Sequence, residues 1–347
     1  MLRIAVVVTT AFLIVFGLFF EKDPSFMDLQ KQGPDSLTYF FDNPIPNQNL
    51  SDPYISSLYR PGDILYQALT EYQNHRLDLA IPKLQNLSEE GNVDAMYWYA
   101  EHLMKVSVKS RYAGYNWFEK SAKLGNPYSA LKLDINSGDC QSYFPTLCNK
   151  EWGKLAIESF KIRANQGDIR AKYYLERPTS FVRGDDFKKW VSLVEESAKK
   201  NYFIPAMDLL QRFENDKSLT LNQKEDLKHI YNFLAKHNYV PAYNALYVQS
   251  NYETVFDEAI KLGSSPQLSH LAQDCVAIFN DLERSEKKEC LARAYVLEEV
   301  YNDDTNFDFI SPLGDSTLNS EAKNRAEAII NSMKLTIYID ELHIDHY

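Results

Sequence analysis

Between about residue 75 and residue 280, apolar positions recur three and four apart, in runs that stop abruptly at a small or amide residue. Residues 115–125, YNWFEKSAKLG, show the form: an amphipathic helical pattern that ends on Gly125. The four residues closing each such run read SEEG, AKLG, ANQG, AKKN, AKHN and IKLG, ending at Gly91, Gly125, Gly167, Asn201, Asn238 and Gly263. Glycine and asparagine are the residues that adopt a left-handed backbone at low cost, so each stop predicts a helix C-terminus followed at once by a tight turn. Four or five residues on comes a small residue, Ala95, Ala130, Ala171, Ala206 or Ala242, where a second helix can cross the first closely. Pro205 and Pro241 precede two of these alanines, in a first helical turn where a missing N–H costs nothing. Leu175, Leu210 and Leu246 lie four residues past their alanines, on the same face.

The stops lie 34, 42, 34, 37 and 25 residues apart, so the pattern is a repeat of helix, turn and helix every ~36 residues. One such pair cannot bury its apolar face alone, and the pairs must stack. The expected fold is all-α, a solenoid of antiparallel helix pairs over residues 63–280 with a helical cap over 281–347. In the cap, 281–300 returns to helical pattern, an acidic loop follows at 301–316, and a last helix starts near Ser320. The closing LTIYIDELHIDHY alternates like a short strand or covers the last helix. Residues 134–150, DINSGDCQSYFPTLCNK, read as a lengthened loop between units, pinned by Cys140 and Cys148.

Within the repeat, residues 117–125, WFEKSAKLG, match in spacing the phrase W-Y-x-K-A-A-x-x-G, with Phe118 for Tyr and Ser121 for the first Ala. Residues 193–201, LVEESAKKN, repeat it 76 residues later, with Leu193 for Trp and Asn201 for Gly. Over residues 75–270 the chain thus resembles the Sel1-like repeat family of tetratricopeptide-like α-solenoids. It departs from that family in the loops between units, where a Gly-x-Gly-Val turn is approximated only by Gly184-Asp185-Asp186. The resemblance implies a scaffold that binds other proteins and carries out no catalysis. Within it two roles stand open: an immunity protein that neutralises a toxic effector delivered to the periplasm, and an envelope adaptor or signalling regulator. An envelope hydrolase with hidden catalytic residues is a third and lesser reading.

Residues 1–20, MLRIAVVVTTAFLIVFGLFF, hold one charge, Arg3, and then 17 residues without another, the lower limit for a membrane-spanning helix. The exit GLFFEKD lacks a small-x-small cleavage site, which favours an uncleaved anchor over a cleaved signal peptide. Either places the rest of the chain outside the cytoplasm, on the periplasmic side of a bacterial inner membrane or free in the periplasm or medium. Residues 21–62 carry six prolines and read as a stalk, with Tyr39, Phe40 and Phe41 packing back on the first helices. Four cysteines fit an oxidising compartment. Cys140 with Cys148 and Cys275 with Cys290 are the pairs near in sequence, of the three pairings four cysteines allow.

A net charge of −11 argues against nucleic acid as a partner. The sequence contains no GxSxG, HExxH, P-loop or dinucleotide fingerprint, and no cofactor is expected. His343, Asp345 and His346 could ligate a metal but read better as a solvated tail. Partner contact is expected instead from Asp303, Asp304, Phe307, Asp308 and Phe309 in the acidic loop, and from Tyr97, Trp98 and Tyr99. The last three are consecutive on a helix and cannot all face inward, so at least one is exposed or covered by a neighbouring segment.

Overall fold

The computed structural model describes residues 33–37, 40, 49–180, 182–214, 219–250, 256–304, 308 and 311–344. The described residues form sixteen α-helices and no strand. Six antiparallel pairs follow the expected joints: α2 (Leu77–Glu89) with α3 (Val93–Val106), α4 (Val108–Lys123) with α5 (Pro127–Leu133), and α7 (Lys150–Asn165) with α8 (Ile169–Glu176). They continue as α9 (Gly184–Lys199) with α10 (Ile204–Glu214), α11 (Leu221–Lys236) with α12 (Val240–Ser250), and α13 (Phe256–Lys261) with α14 (Ser265–Ile278). The remaining helices are α1 (Tyr66–Gln73), α6 (Gly138–Tyr143), α15 (Arg284–Tyr301) and α16 (Ser316–Ser332).

All six predicted stop residues have positive φ, from 59° at Asn238 to 102° at Gly263. At each, the next residue donates its N–H to a carbonyl five residues back, as Asn126 N to Ser121 O at 3.1 Å and Tyr239 N to Leu234 O at 3.2 Å. This satisfies carbonyls that a helix end leaves orphaned. In three pairs that same residue starts the next helix: Asn92, Asn126 and Asp168 each accept a backbone N–H of the following helix on the side chain. One left-handed residue and one cap therefore suffice to reverse the chain. The five alanines after the turns are fully buried. A seventh turn of the same kind joins α1 to α2, with His75 in the left-handed slot at φ 60°.

Successive pairs bond to each other as well as within themselves. Ser121 Oγ donates to Val93 O at 2.8 Å, and Asp94 accepts from Asn126 at 2.8 Å and from Arg163 at 3.3 Å. One apolar core runs from Leu37 through α1–α12 to Ile339, and α14, α15 and α16 bury two smaller clusters of their own.

Four expectations change. The segment between the second and third pairs is not wholly a loop: it contains α6, with Cys140 fully buried and its Cα 5.8 Å from that of Cys148. The described part of the 21–62 region is no free stalk, and its aromatic contact lies on the fifth pair, not the first helices. Phe40 meets Phe233 of α11 edge-on at 5.2 Å, Ser56 Oγ donates to Asn238 O at 2.8 Å, and Asn238 donates to Asp52 O at 3.0 Å. The last helix begins at Ser316, four residues earlier than expected, because Asp315 supplies the cap by accepting Leu318 N at 2.7 Å. The C-terminal segment is neither strand nor solvated, as described below. Residues 1–32 lie outside the described residues, and no described helix is long and apolar enough to cross a membrane.

The second cysteine pair, Cys275 and Cys290, bridges α14 to α15 with Cα atoms 5.7 Å apart. Both pairs thus stand at disulfide distance, which suits an oxidising compartment. Peptide mapping of unreduced protein is expected to return 140–148 and 275–290 as the linked pairs, and replacing either pair by alanines should cost about 2–3 kcal/mol, read from urea midpoints.

A Cβ built on Gly125 meets nothing within 4 Å, so the cost of a side chain there is purely that of the backbone. Gly125→Val should lower stability by about 1 kcal/mol or more, and Gly125→Asn by clearly less. Equal losses in the two variants would show that the left-handed turn is not what selects glycine.

Candidate protein-docking groove

After α16 the chain leaves the helix at Met333 and runs extended, with residues 336–341 almost fully buried. It first covers the end of α13. Lys334 N donates to Lys261 O at 2.6 Å and Thr336 N to Leu262 O at 3.1 Å, filling carbonyls that the Gly263 turn leaves open. The approach is close: a Cβ on Gly263 would lie 2.9 Å from Leu335 Cδ2, the movable end of a side chain, so the positive φ is what selects glycine at this turn.

The main chain of the segment is then read by side chains from the helix array. Gln73, at the end of α1, donates to Thr336 O at 2.9 Å and accepts from Tyr338 N at 2.9 Å and Ile339 N at 3.3 Å. Tyr66 donates to Leu335 O at 2.7 Å and Tyr97 of α3 to Glu341 O at 2.6 Å. The described part of the 21–62 region, which forms a strap before α1, adds Leu58 N to Ile337 O and Ser57 Oγ accepting from Ile337 N, both at 2.9 Å. These partners explain why an alternating sequence forms no sheet: an amide side chain and hydroxyls take the place of a neighbouring strand.

Beyond Ile339 the groove changes from apolar to charged. Asp340 Oδ2 accepts from Tyr202 OH at 2.8 Å, and its Oδ1 accepts from Leu342 N at 2.9 Å and His343 Nδ1 at 2.8 Å. His343 Nε2 lies 3.2 Å from Asp208 of α10. Glu341 Oε2 accepts from Arg170 of α8 at 3.2 Å, while its Oε1 has no hydrogen-bond partner among the described residues. The three segment side chains are nearly fully buried, Glu341 at 1% exposure.

Burial and neighbours push these groups in different directions. Burial disfavours the His343 charge, but Asp340 and then Asp208 outweigh it and raise the imidazole from 6.5 to about 9. Burial raises Glu341 to about 7, against the pull of Arg170. Burial also works against the Asp340 charge, yet His343, Tyr202 and Arg170 hold it below the ordinary carboxylate value. At neutral pH the arrangement is a cation between two carboxylates, both ring N–H groups donating. Tyr97, Tyr128 and Tyr202 stay protonated because burial raises each phenol well above its usual value.

Of the residues expected to meet a partner, Tyr97 and Trp98 are wholly interior, and Tyr99 is half-buried with its ring 5.9 Å from that of Trp117. The covering segment for Tyr97 is the chain's own C-terminus. Asp303 follows the left-handed end of α15 at Asn302, its N–H bonding Leu297 O, while Asp304 and Asp308 are exposed. Phe307 and Phe309 lie outside the described residues, as do Asp345 and His346. His343 is not solvated, contrary to expectation, because Asp208 and Asp340 enclose it. No cluster of three or more metal-ligating side chains occurs among the described residues. The groove residues Gln73, Arg170, Tyr202 and Asp208 carried no motif. The one signal for them was Asp340-Glu341 set directly after the apolar run Ile337-Tyr338-Ile339.

Comparison with protein-family models, curated proteins and solved structures returns no match for this chain.

Seating of the segment should depend on pH with a definite sign. His343 holds its proton more tightly when folded, so its contribution is complete below about 6.5 and is lost as pH rises through about 9. Glu341 also binds a proton more tightly when folded, so stability declines from 4.5 through about 7 and then levels. The expected curve falls across both windows, the His343 limb being worth about 2–3 kcal/mol. His343→Gln should flatten the alkaline limb and keep the lower one, as followed by urea unfolding between pH 5 and 9.5. Arg170→Met leaves Glu341 without its cation and should cost about 2–3 kcal/mol at pH 7.5, less at pH 5 where Glu341 is neutral.

Proposed function

We propose that this chain is a non-catalytic protein-binding scaffold working outside the cytoplasm, an α-solenoid of divergent Sel1-like repeats behind an N-terminal anchor or signal. The observation that carries the reading is that the helix pairs hold an extended polypeptide along their length by main-chain hydrogen bonds and a few selective ionic contacts. A scaffold able to do this for its own C-terminus has the chemistry needed to hold a partner. The two cysteine pairs favour an envelope or secreted setting. Between the two roles the resemblance leaves open, neutralising a delivered effector is the first and assembling endogenous envelope proteins the second. The exposed carboxylates of the 301–316 loop suit a partner that presents Lys or Arg.

The test is to express the chain without residues 1–20, isolate a partner from envelope extract, and rebuild the complex from purified components. A 1:1 complex of micromolar affinity or better is expected, and association should slow several-fold and lose part of its salt dependence in Asp303→Ala with Asp304→Ala. Turnover of a cell-wall polymer by the purified chain would overturn the scaffold reading. Unchanged rates in the double variant would remove the acidic loop from it.

A further inference from the structure

The groove can be divided into parts that read any polypeptide and parts that read particular side chains. The hydrogen bonds that Gln73, Tyr66 and Tyr97 make to the segment go to its carbonyls and N–H groups, so these bonds can form with any extended sequence. Ile337 and Ile339 fill apolar positions that several aliphatic residues would fit. Selectivity lies at the far end. Tyr202 and the Leu342 N–H satisfy a carboxylate at the Asp340 position, Arg170 meets one at the Glu341 position, and Asp208 requires a cation at the His343 position. The spacing read is acid, acid, any residue, cation, preceded by an aliphatic run.

Two further observations suggest that this site serves more than the chain's own terminus. The segment follows α16 directly, through Met333 and the exposed Lys334, and its hydrogen bonds run to α1, α3, α8, α10 and α13. Beside the seated segment an open cleft of about 440 Å³ remains, with Tyr338, Ile339 and Ile344 on one wall and Asn74, His75 and His102 on the other. The Asn74 side chain lines this cleft and belongs to a residue only 4% exposed. An incoming chain can gain a foothold there before the resident segment has left.

We propose that the groove is a reading site for an extended segment of a partner protein carrying adjacent acidic residues and a cation two positions on, and that residues 334–344 occupy it in cis as an intramolecular competitor. This rests on the scaffold reading above and names the chemistry of one of its ligands. Partner binding then requires displacement of the C-terminus, which makes affinity depend on how firmly the chain holds its own segment.

The experiment uses the chain without residues 1–20, with a specific protease site inserted between Met333 and Lys334. After cleavage, the freed 334–347 segment stays as a non-covalent ligand. Fluorescent peptide KLTIYIDELHIDHY is added, and exchange is followed by anisotropy, with circular dichroism recorded in parallel. Saturable uptake, one peptide per chain, is expected from the cut protein, with at least tenfold weaker uptake by the uncut protein. A peptide with Glu341→Ala, or cut protein carrying Arg170→Met, should bind at least tenfold more weakly. A foreign peptide keeping only the aliphatic run and Asp-Glu-x-His should compete, and a scrambled one should not. Cut protein that unfolds, or that keeps its fold and takes up no peptide, would overturn the proposal, since the segment would then be an inseparable part of the core. Exchange restricted to copies of this chain, with the foreign peptide excluded, would overturn it in favour of self-association. None of these failures bears on the loop-directed complex tested above, so the two readings fall separately.

Discussion

The fold closes on a small set of buried charges. Asp340, Glu341 and His343 near the C-terminus are almost fully buried, and they meet Arg170 on α8 and Asp208 on α10, whose side chains are about a fifth exposed. Any of the three buried ones alone would be costly, because a buried charge without a partner costs several kcal/mol. Together they meet their partners only when the segment lies in one register. A shift by one residue would turn Asp340 toward the apolar wall and Ile339 toward Tyr202. The aliphatic residues supply the driving force for burial, while the ionic contacts fix which residue sits where. Measured replacements of buried ion pairs by apolar side chains warn against counting such contacts as net stability. Their role here is specificity of docking.

This closure solves a problem that helix pairs have when they stack. Each pair buries one face against the next, but another face of each pair and the outer face of the last are left uncovered. Here the segment before α1 and the segment after α16 lie against the helix pairs and bond to each other between Leu58 and Ile337. The α13 carbonyls, which would end the stack unsatisfied, are taken by Lys334 and Thr336. A stack with only neighbour contacts could open pair by pair. The terminal segment instead ties α1, α3, α8, α10 and α13 together, so opening any one is coupled to the others.

The helix pairs were legible in the sequence, and the groove was not, for one physical reason. A left-handed turn is a property of one residue, so Gly and Asn at six spaced positions announced it without knowledge of the fold. His75 escaped because histidine adopts that conformation only occasionally, and there the Asn74 and Arg76 hydrogen bonds to α1 carbonyls hold it. Burial of Asp340, Glu341 and His343 is a property of residues 135 to 171 positions away. Read locally, three ionisable residues near a terminus are solvated by default. The strap went astray in the same way: its prolines rule out regular structure but say nothing about Asn238 and Phe233, which hold it. Helix boundaries shifted where a cap lay outside the apolar pattern, as at Asp315.

The net charge of −11 sets the two candidate partner surfaces apart. The exposed carboxylates of the 301–316 loop add to an already negative field, so a basic partner is drawn in from beyond a Debye length and salt slows its arrival. A segment bearing Asp-Glu meets the opposite situation: the same field opposes its approach, and attraction begins only within reach of Arg170. Salt screens that long-range repulsion while leaving the desolvated contact nearly unaffected. The association rate for an acidic segment should therefore rise with salt, and that for a basic partner should fall. A protein binding through both surfaces would show a weak net salt dependence that splits into opposite slopes when the loop carboxylates or Arg170 are removed one at a time. The sign of that slope depends on charge alone, so association rates at two salt concentrations are enough to assign a partner to the loop or to the groove.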